Sequence, residues 1–150
     1  MAFDYLICSF NELNIHQLYA LLKLRQDVFV LEQNCVYPDL DEKDQKATHV
    51  LQYKNGELSG YARLFHPGDY FEMASIGRVV VSMKYRNTGA GFHLMQTCVN
   101  HQVQHFQHHM IDISAQAYLQ KFYESHGFKI TGKGYLEDGI PHNPMRYIHG

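Results

Sequence analysis

The sequence predicts a mixed α/β fold of the α+β kind, with elements in the order β-α-β-β-β-α-β-α-β-β, on three observations. Apolar residues recur near helical spacing in two stretches, Ile15 to Val30 and Phe92 to Val103. Asn55-Gly56 stands between the runs THVLQY and LSGYARLF, and it is a strong hairpin signal because both central turn positions favour positive φ. The β-branched run SIGRVVVS then leads straight into RNTGAG and the second helix.

In chain order, Tyr5 to Phe10 reads as a short strand. Asn14 follows as a helix cap, since its side chain can accept from first-turn amides. Ile15, Leu18, Tyr19, Leu22, Val28 and Phe29 supply the apolar face of that helix. VYPDLDEKDQKA is polar, acidic and broken by Pro38, hence a loop. After the hairpin, HPGDYF is a turn and SIGRVVVS a strand. Phe92, Leu94, Met95, Val99 and Val103 support a helix of roughly three to four turns. IDIS is a strand, and LQKFYESHG is a short helix stopped by Gly127 in the C-cap place. FKITGK, GYLE and the segment after Asp138-Gly139 read as closing strands. No repeat, low-complexity segment or linker divides residues 1–150, so a single domain is expected.

Composition narrows the function classes. The 150 residues suit one domain with one substantial core, and 45% apolar against 19% charged residues exclude a disordered or fibrous chain. Thirteen Lys and Arg against fifteen Asp and Glu give a formal charge of −2, without the basic surplus that nucleic-acid binding requires. No apolar span has membrane length, and MAFDYLICSF lacks the basic start of a secretory signal. Cys8, Cys35 and Cys98 are odd in number and scattered, which suits free thiols in a reducing compartment. A cytoplasmic protein, with neither nucleic acid nor membrane as partner, is expected.

The turn RNTGAG carries the chemistry. The opening of a helix exposes unpaired N–H groups and a positive dipole end, a natural place for phosphate. Gly89 and Gly91 let the main chain approach a ligand closely, Ala90 is nearly as small, and Arg86 adds a cation suited to bidentate pairing with phosphate. A plain tight turn is the alternative. A P-loop would need Lys and Ser or Thr after the last glycine, where Phe92 and His93 stand. A dinucleotide fingerprint would need a third glycine where Leu94 stands; Asp112 has the spacing of a ribose-binding acid, but too little βαβ structure follows.

Arg86-Asn87-Thr88-Gly89-Ala90-Gly91 resembles the acyl-CoA loop of the GNAT N-acetyltransferase superfamily, written Arg or Gln, two residues, Gly, one residue, Gly or Ala. Val79 and Val81 stand at the family's apolar strand positions, and Met83 replaces a common proline. The second family block lies about thirty residues on as QAYLQKFYESHGF, with Gln116 where Asn is common. LRQDVFVLEQNC and DGIPHNPMR resemble the ElaA-type subgroup. The resemblance implies a central mixed, mostly antiparallel sheet flanked by helices, and acetyl-CoA as donor with no metal. It implies that the loop amides of residues 86–91 hold the pyrophosphate. The main chain around Val79, Val80 and Val81 would bond the pantetheine arm like an added strand, with an amide near Val79 or Val80 polarising the thioester carbonyl.

The implied reaction moves an acetyl group to a primary amine by direct transfer in a ternary complex. It needs a neutral amine, a polarised carbonyl and a proton for the departing thiolate. A phenol of ordinary pKa near ~10 is protonated at neutral pH and can supply that proton. The resemblance gives Tyr123 this role; a core aromatic on a short helix is the other reading. The general base is open among Glu32, His49, Glu137 and His142, since the strand SIGRVVVS carries Arg78 and no acid. Glu32 is otherwise a helix-end charge or ion-pair partner, and His142 a loop residue. Arg63 and Arg78 lie inside apolar strands, where a charge seldom stands without a partner, so they either face an exposed sheet surface or receive an anion on the acceptor. HFQHHM places His105 and His109 at i and i+4, but no third ligand is spaced with them, and a polar helix exit is favoured over a metal.

Two other functions fit the same loop. One is a non-catalytic acyl-CoA-binding regulator, against which Tyr123 speaks; the other is an acyl-homoserine-lactone-synthase-like acyltransferase, whose loop is generally less regular. The acceptor is left as a small-molecule or peptide amine, and a homodimer paired through a last strand is left open.

Overall fold

The computed structural model describes residues 2–150. Strand β1 (Asp4–Ser9) leads to helix α1 (Ile15–Arg25), which Asn14 caps as expected. Asn14 Oδ1 accepts from the Gln17 amide at 2.8 Å, and Gln17 Oε1 accepts from the Asn14 amide at 2.9 Å, so two orphan donors are satisfied at once. The helix continues in wider π-type turns over Gln26–Glu32, two residues past its expected end. Strands β2 (Thr48–Lys54) and β3 (Glu57–Phe65) join at Asn55 and Gly56, whose φ values of +52° and +77° are those of the expected tight hairpin.

Strand β4 (Ala74–Val81) runs antiparallel to β3, then the glycine turn opens α2 (Ala90–Asn100), which also ends in wider turns over His101–His105. Strand β5 (Met110–Gln116), helix α3 (Gln120–Glu124) and strands β6 (Lys129–Ile130), β7 (Tyr135–Glu137) and β8 (Ile140–Ile148) complete the chain. The closing segments form three strands, one more than the expected order holds. All eight join one mixed, mostly antiparallel sheet in the order β1-β2-β3-β4-β5-β8-β6, with β7 on β8.

Alternation along the strands gives each sheet face its own core. Val50, Ala62, Leu64, Ile76, Ile113 and Met145 face α2 and α3, where Leu94, Met95, Cys98 and Phe128 cover them. On the other face Leu51, Tyr61 and Val80 meet Leu21, Leu24 and Val28 of α1 and its extension.

Two departures from regular pairing shape the middle of the sheet. Tyr61 pairs with Val80 and Arg63 with Gly77, so Ala62 faces both Arg78 and Val79 in a β-bulge; Arg78 holds a φ of +50°. Ahead of it along β4, the strand pairs in parallel with β5 only at Ala74–Ile111 and Ser75–Asp112, and the two then part.

The acidic loop is anchored on this sheet by ion pairs. Arg25 and Arg63 are 0% and 1% exposed. Arg25 donates to Asp39 Oδ2 at 2.9 Å and to Asp44 Oδ1 at 2.7 Å, and Arg63 donates to Asp41 Oδ2 at 2.5 Å and to Asp44 Oδ1 at 2.8 Å. Arg78 Nε lies 2.9 Å from Asp39 Oδ1 without hydrogen-bond alignment, while its Nη2 donates to the Asp39 carbonyl at 3.1 Å. Three guanidinium groups thus meet three carboxylates. Because removing one partner leaves a buried charge uncompensated, Asp44→Ala is expected to lower stability by about 3–5 kcal/mol in urea unfolding; a change below about 0.5 kcal/mol would show that the network carries no structural load.

Burial alone would raise the Asp41 pKa, but the hydrogen bonds and charge of Arg63, with the charge of Arg78, bring it from 3.8 to about 2. The folded state therefore binds this proton less readily than the unfolded chain. Its stabilisation is complete above about pH 4 and is lost as pH falls toward 2. Denaturant midpoints across that range should fall in the wild type and fall less in Asp41→Asn.

Candidate active site

Where β4 and β5 part, a cavity of about 420 Å³ opens. Its walls are Val79, Val80 and Val81 of β4, Ile113 and Ser114 of β5, Phe122 and Tyr123 of α3, and Val28 and Phe29 before α1's extension ends. Main-chain groups of β4 along the gap are released from the pairing that β5 would otherwise give them.

The glycine turn stands at one border of this cavity. Gly89, at φ +85°, precedes the first turn of α2, and a residue with a Cβ would be strained there. Thr88 Oγ donates to the Tyr85 carbonyl at 2.5 Å and fixes the approach. The buried Gln52 side chain donates to the Ala90 carbonyl at 2.9 Å, tying the helix opening to β2. The first bond of the helix runs from the His93 amide to the Gly89 carbonyl at 3.1 Å, which leaves the amides of Ala90, Gly91 and Phe92 without partners inside the helix. Such an opening suits an anion.

A strap formed by residues 32–35 crosses to three other parts of the wall. Glu32 accepts both terminal nitrogens of Arg86, at 2.5 and 2.7 Å. Gln33 and Gln116 exchange amide hydrogen bonds at 3.3 and 3.2 Å, and Cys35 Sγ donates to the Asp138 carbonyl at 3.3 Å. The Arg86 hydrogen bonds hold the Glu32 carboxyl below its ordinary pKa, which makes it a weaker base.

Tyr123 is 8% exposed, borders the cavity, and packs its ring against Phe122 and Phe128. Burial raises the pKa of its phenol, so the hydroxyl stays protonated at neutral pH. Near the β7–β8 hairpin, His142 and Glu137 border the same cavity, with Glu137 Oε2 3.5 Å from His142 Nε2. Ser114 Oγ donates to Glu137 Oε1 at 3.1 Å and also bonds the Tyr135 hydroxyl.

Of the residues singled out from sequence, Glu32, Arg78, Val79, Val80, Val81, Arg86, Gly91, Gln116, Tyr123, Glu137 and His142 line one cavity. Asn87, Thr88, Gly89 and Ala90 shape the turn behind it. Arg63 lies outside and is buried, its guanidinium held by Asp41 and Asp44, which corrects both expectations for it, an exposed sheet face and an anion on the acceptor. Arg78 does line the cavity, but Asp39 and Asp41 already offset its charge. His49 is likewise withdrawn as a base. Its Nε2–H donates to the Asp44 carbonyl at 2.9 Å and its Nδ1 accepts from the Tyr61 hydroxyl at 2.6 Å, away from the cavity. The histidine-rich exit of α2 brings His108 Nε2 to 2.8 Å from His66 Nδ1. Among the described residues, no group of three or more His, Cys, Asp or Glu is placed to hold a metal. None of their helices is long and apolar enough to cross a membrane.

Sequence reading missed Ser114, Gln33 and Tyr135 as site residues. Ser and Gln carry no spacing signal, and although Asp138-Gly139 marked a turn, nothing in the sequence showed that the hairpin it makes brings Glu137 to His142.

A sheet split beside a glycine turn at a helix opening matches what the resemblance to the GNAT acetyltransferases implied for this stretch. The chain belongs to that family: the model described as "Acetyltransferase (GNAT) domain" matches residues 24–149. It is 45% identical to the protein ElaA of Escherichia coli strain K12 over 137 residues, 90% of each chain. The crystal structure of Escherichia coli ElaA superposes with a TM-score of 0.89 at 40% identity, covering 97% of this chain and 99% of that one. An acyl-CoA N-acyltransferase from Pseudomonas aeruginosa gives a TM-score of 0.89 at 37% identity, with 96% and 99% coverage.

The family implies an acyl-CoA donor, whose diphosphate would compete with Glu32 for Arg86. Glu32→Ala is expected to tighten coenzyme A binding several-fold in calorimetry, on the order of the 1 kcal/mol that a part-exposed ion pair holds. Weaker binding would mean that Glu32 supports the loop rather than competing with the ligand.

Proposed function

We propose that the protein is an N-acetyltransferase that moves the acetyl group of acetyl-CoA to a primary amine, carried by a small molecule or a peptide, with both substrates bound together. One observation carries the reading: Tyr123 and two residues of the glycine turn, Arg86 and Gly91, line the same cavity in the split between β4 and β5. The residues fit such a donor. Free first-turn amides and Arg86 suit its diphosphate, and the unpaired length of β4 suits an amide-bearing arm.

Bound acetyl-CoA supplies the activated acyl carbon. The chain's contribution is positioning and proton management. Val79, Val80 and Val81 line the gap, and an amide near Val79 or Val80 would donate toward developing negative charge on a carbonyl oxygen. Apolar walls from Val28, Phe29, Ile113 and Phe122 exclude water and strengthen that donation. Tyr123 holds its proton because its phenol is buried, and delivers it to the leaving sulfur.

Tyr123→Phe keeps the ring packing and removes only the hydroxyl. Thiol release with acetyl-CoA should fall by roughly 10²–10⁴-fold while calorimetric affinity for coenzyme A stays unchanged. Undiminished turnover would remove Tyr123 as the acid. A wild-type protein that binds coenzyme A and releases no thiol with any amine would make it a binding protein instead.

A further inference from the structure

His142 is 6% exposed and sits on β8, one tight turn from Glu137 on β7. Its Nδ1 lies 2.7 Å from the Ile140 carbonyl, which can only accept, so the Nδ1 position carries the hydrogen. In the neutral ring the lone pair is then on Nε2, and Nε2 is the atom 3.5 Å from Glu137 Oε2. A lone pair facing a carboxylate is unfavourable until a cationic N–H donor bridges them. The partners on both sides are fixed: Ser114 holds the other Glu137 oxygen, and the Tyr135 ring stacks on the imidazole with centroids 6.1 Å apart.

We propose that the Glu137–His142 pair receives the acceptor ammonium and takes its proton, and that it selects amines with no carboxylate beside the reacting nitrogen. This rests on the acyltransferase reading. The other candidate bases are engaged elsewhere, Glu32 by Arg86 and His49 by Tyr61 and Asp44. Selectivity follows from charge. Arg78, the arginine nearest an anion-binding role, is offset by Asp39 and Asp41, whereas Glu137 pairs with no arginine or lysine among the described residues. A carboxylate on the acceptor would meet repulsion there with no free guanidinium to offset it.

The protons balance. The ammonium gives one proton to His142 Nε2, which passes it to solvent. The freed nitrogen pair forms the bond to the acyl carbon, the carbon–sulfur bond breaks toward sulfur, and Tyr123 protonates the thiolate. The second proton leaving nitrogen restores the Tyr123 hydroxyl.

The test uses His142→Asn, whose amide can still donate near the Ile140 carbonyl, and Glu137→Gln, with thiol release, calorimetry and histidine proton resonances as readouts. Acceptors are three matched pairs: phenethylamine with phenylalanine, agmatine with arginine, and tyramine with tyrosine. Expected are unchanged coenzyme A affinity in both variants and a 10²–10⁴-fold loss of kcat in His142→Asn. Glu137→Gln should raise the amine KM about tenfold, a loss typical of one charge-assisted contact. The carboxylate-free member should be preferred in every pair, and the wild-type resonance that vanishes in His142→Asn should shift when phenethylamine, agmatine or tyramine is added. Wild-type kinetics in both variants, or preference for the amino acids, overturns the proposal while leaving the acyltransferase reading intact. Absent coenzyme A binding or thiol release in the wild type overturns that reading and this one with it.

Discussion

The structure depends first on the interior cluster of Arg25, Arg63 and Arg78 with Asp39, Asp41 and Asp44. Its members come from α1, from β3, from the bulge of β4 and from the segment between α1 and β2. Charges this deep are tolerated only when each finds its counterion, and six groups that sum to zero achieve that collectively. Local forces would leave residues 33–46, polar and broken by proline, out in solvent. The cluster draws them onto the sheet instead.

Two consequences reach the cavity. Holding Arg78 toward Asp39 stabilises its left-handed φ and therefore the bulge, which lies in the stretch of β4 that has already parted from β5. Anchoring the loop at Asp39 also places the preceding strap, so Glu32, Gln33 and Cys35 each reach a different part of the wall. A structural ion cluster and a functional opening are thus two ends of one arrangement. The same linkage explains why the arginines inside apolar strands are not free to bind an acceptor anion.

Signals that act over a few residues were legible. The Asn14 capping box, the Asn55-Gly56 hairpin, the run from β4 into the glycine turn, and the Gly127 stop behind Tyr123 all sit where local chemistry puts them. Pairings distant in sequence were not. Arg63 and Arg78 carry the same signal, an arginine among apolar strand residues, yet one is sealed in the cluster and the other lines the cavity. The acidic run of residues 39–44 and these arginines are complementary in charge, a clue to pairing that composition offers but position does not resolve. The parting of β4 and β5 leaves no side-chain trace at all, since it consists of main-chain bonds that are not made. Proton-acceptor candidates could be sorted only by geometry: Glu32, His49 and His142 differ in what already holds their ring nitrogens or oxygens, not in how they stand in the sequence.

The most direct measurement is a crystal structure of the protein with coenzyme A. The account predicts diphosphate oxygens within hydrogen-bond distance of main-chain amides between residues 86 and 91, and the sulfur within reach of the Tyr123 hydroxyl. A diphosphate seated elsewhere, or a sulfur turned away from that phenol, would contradict it.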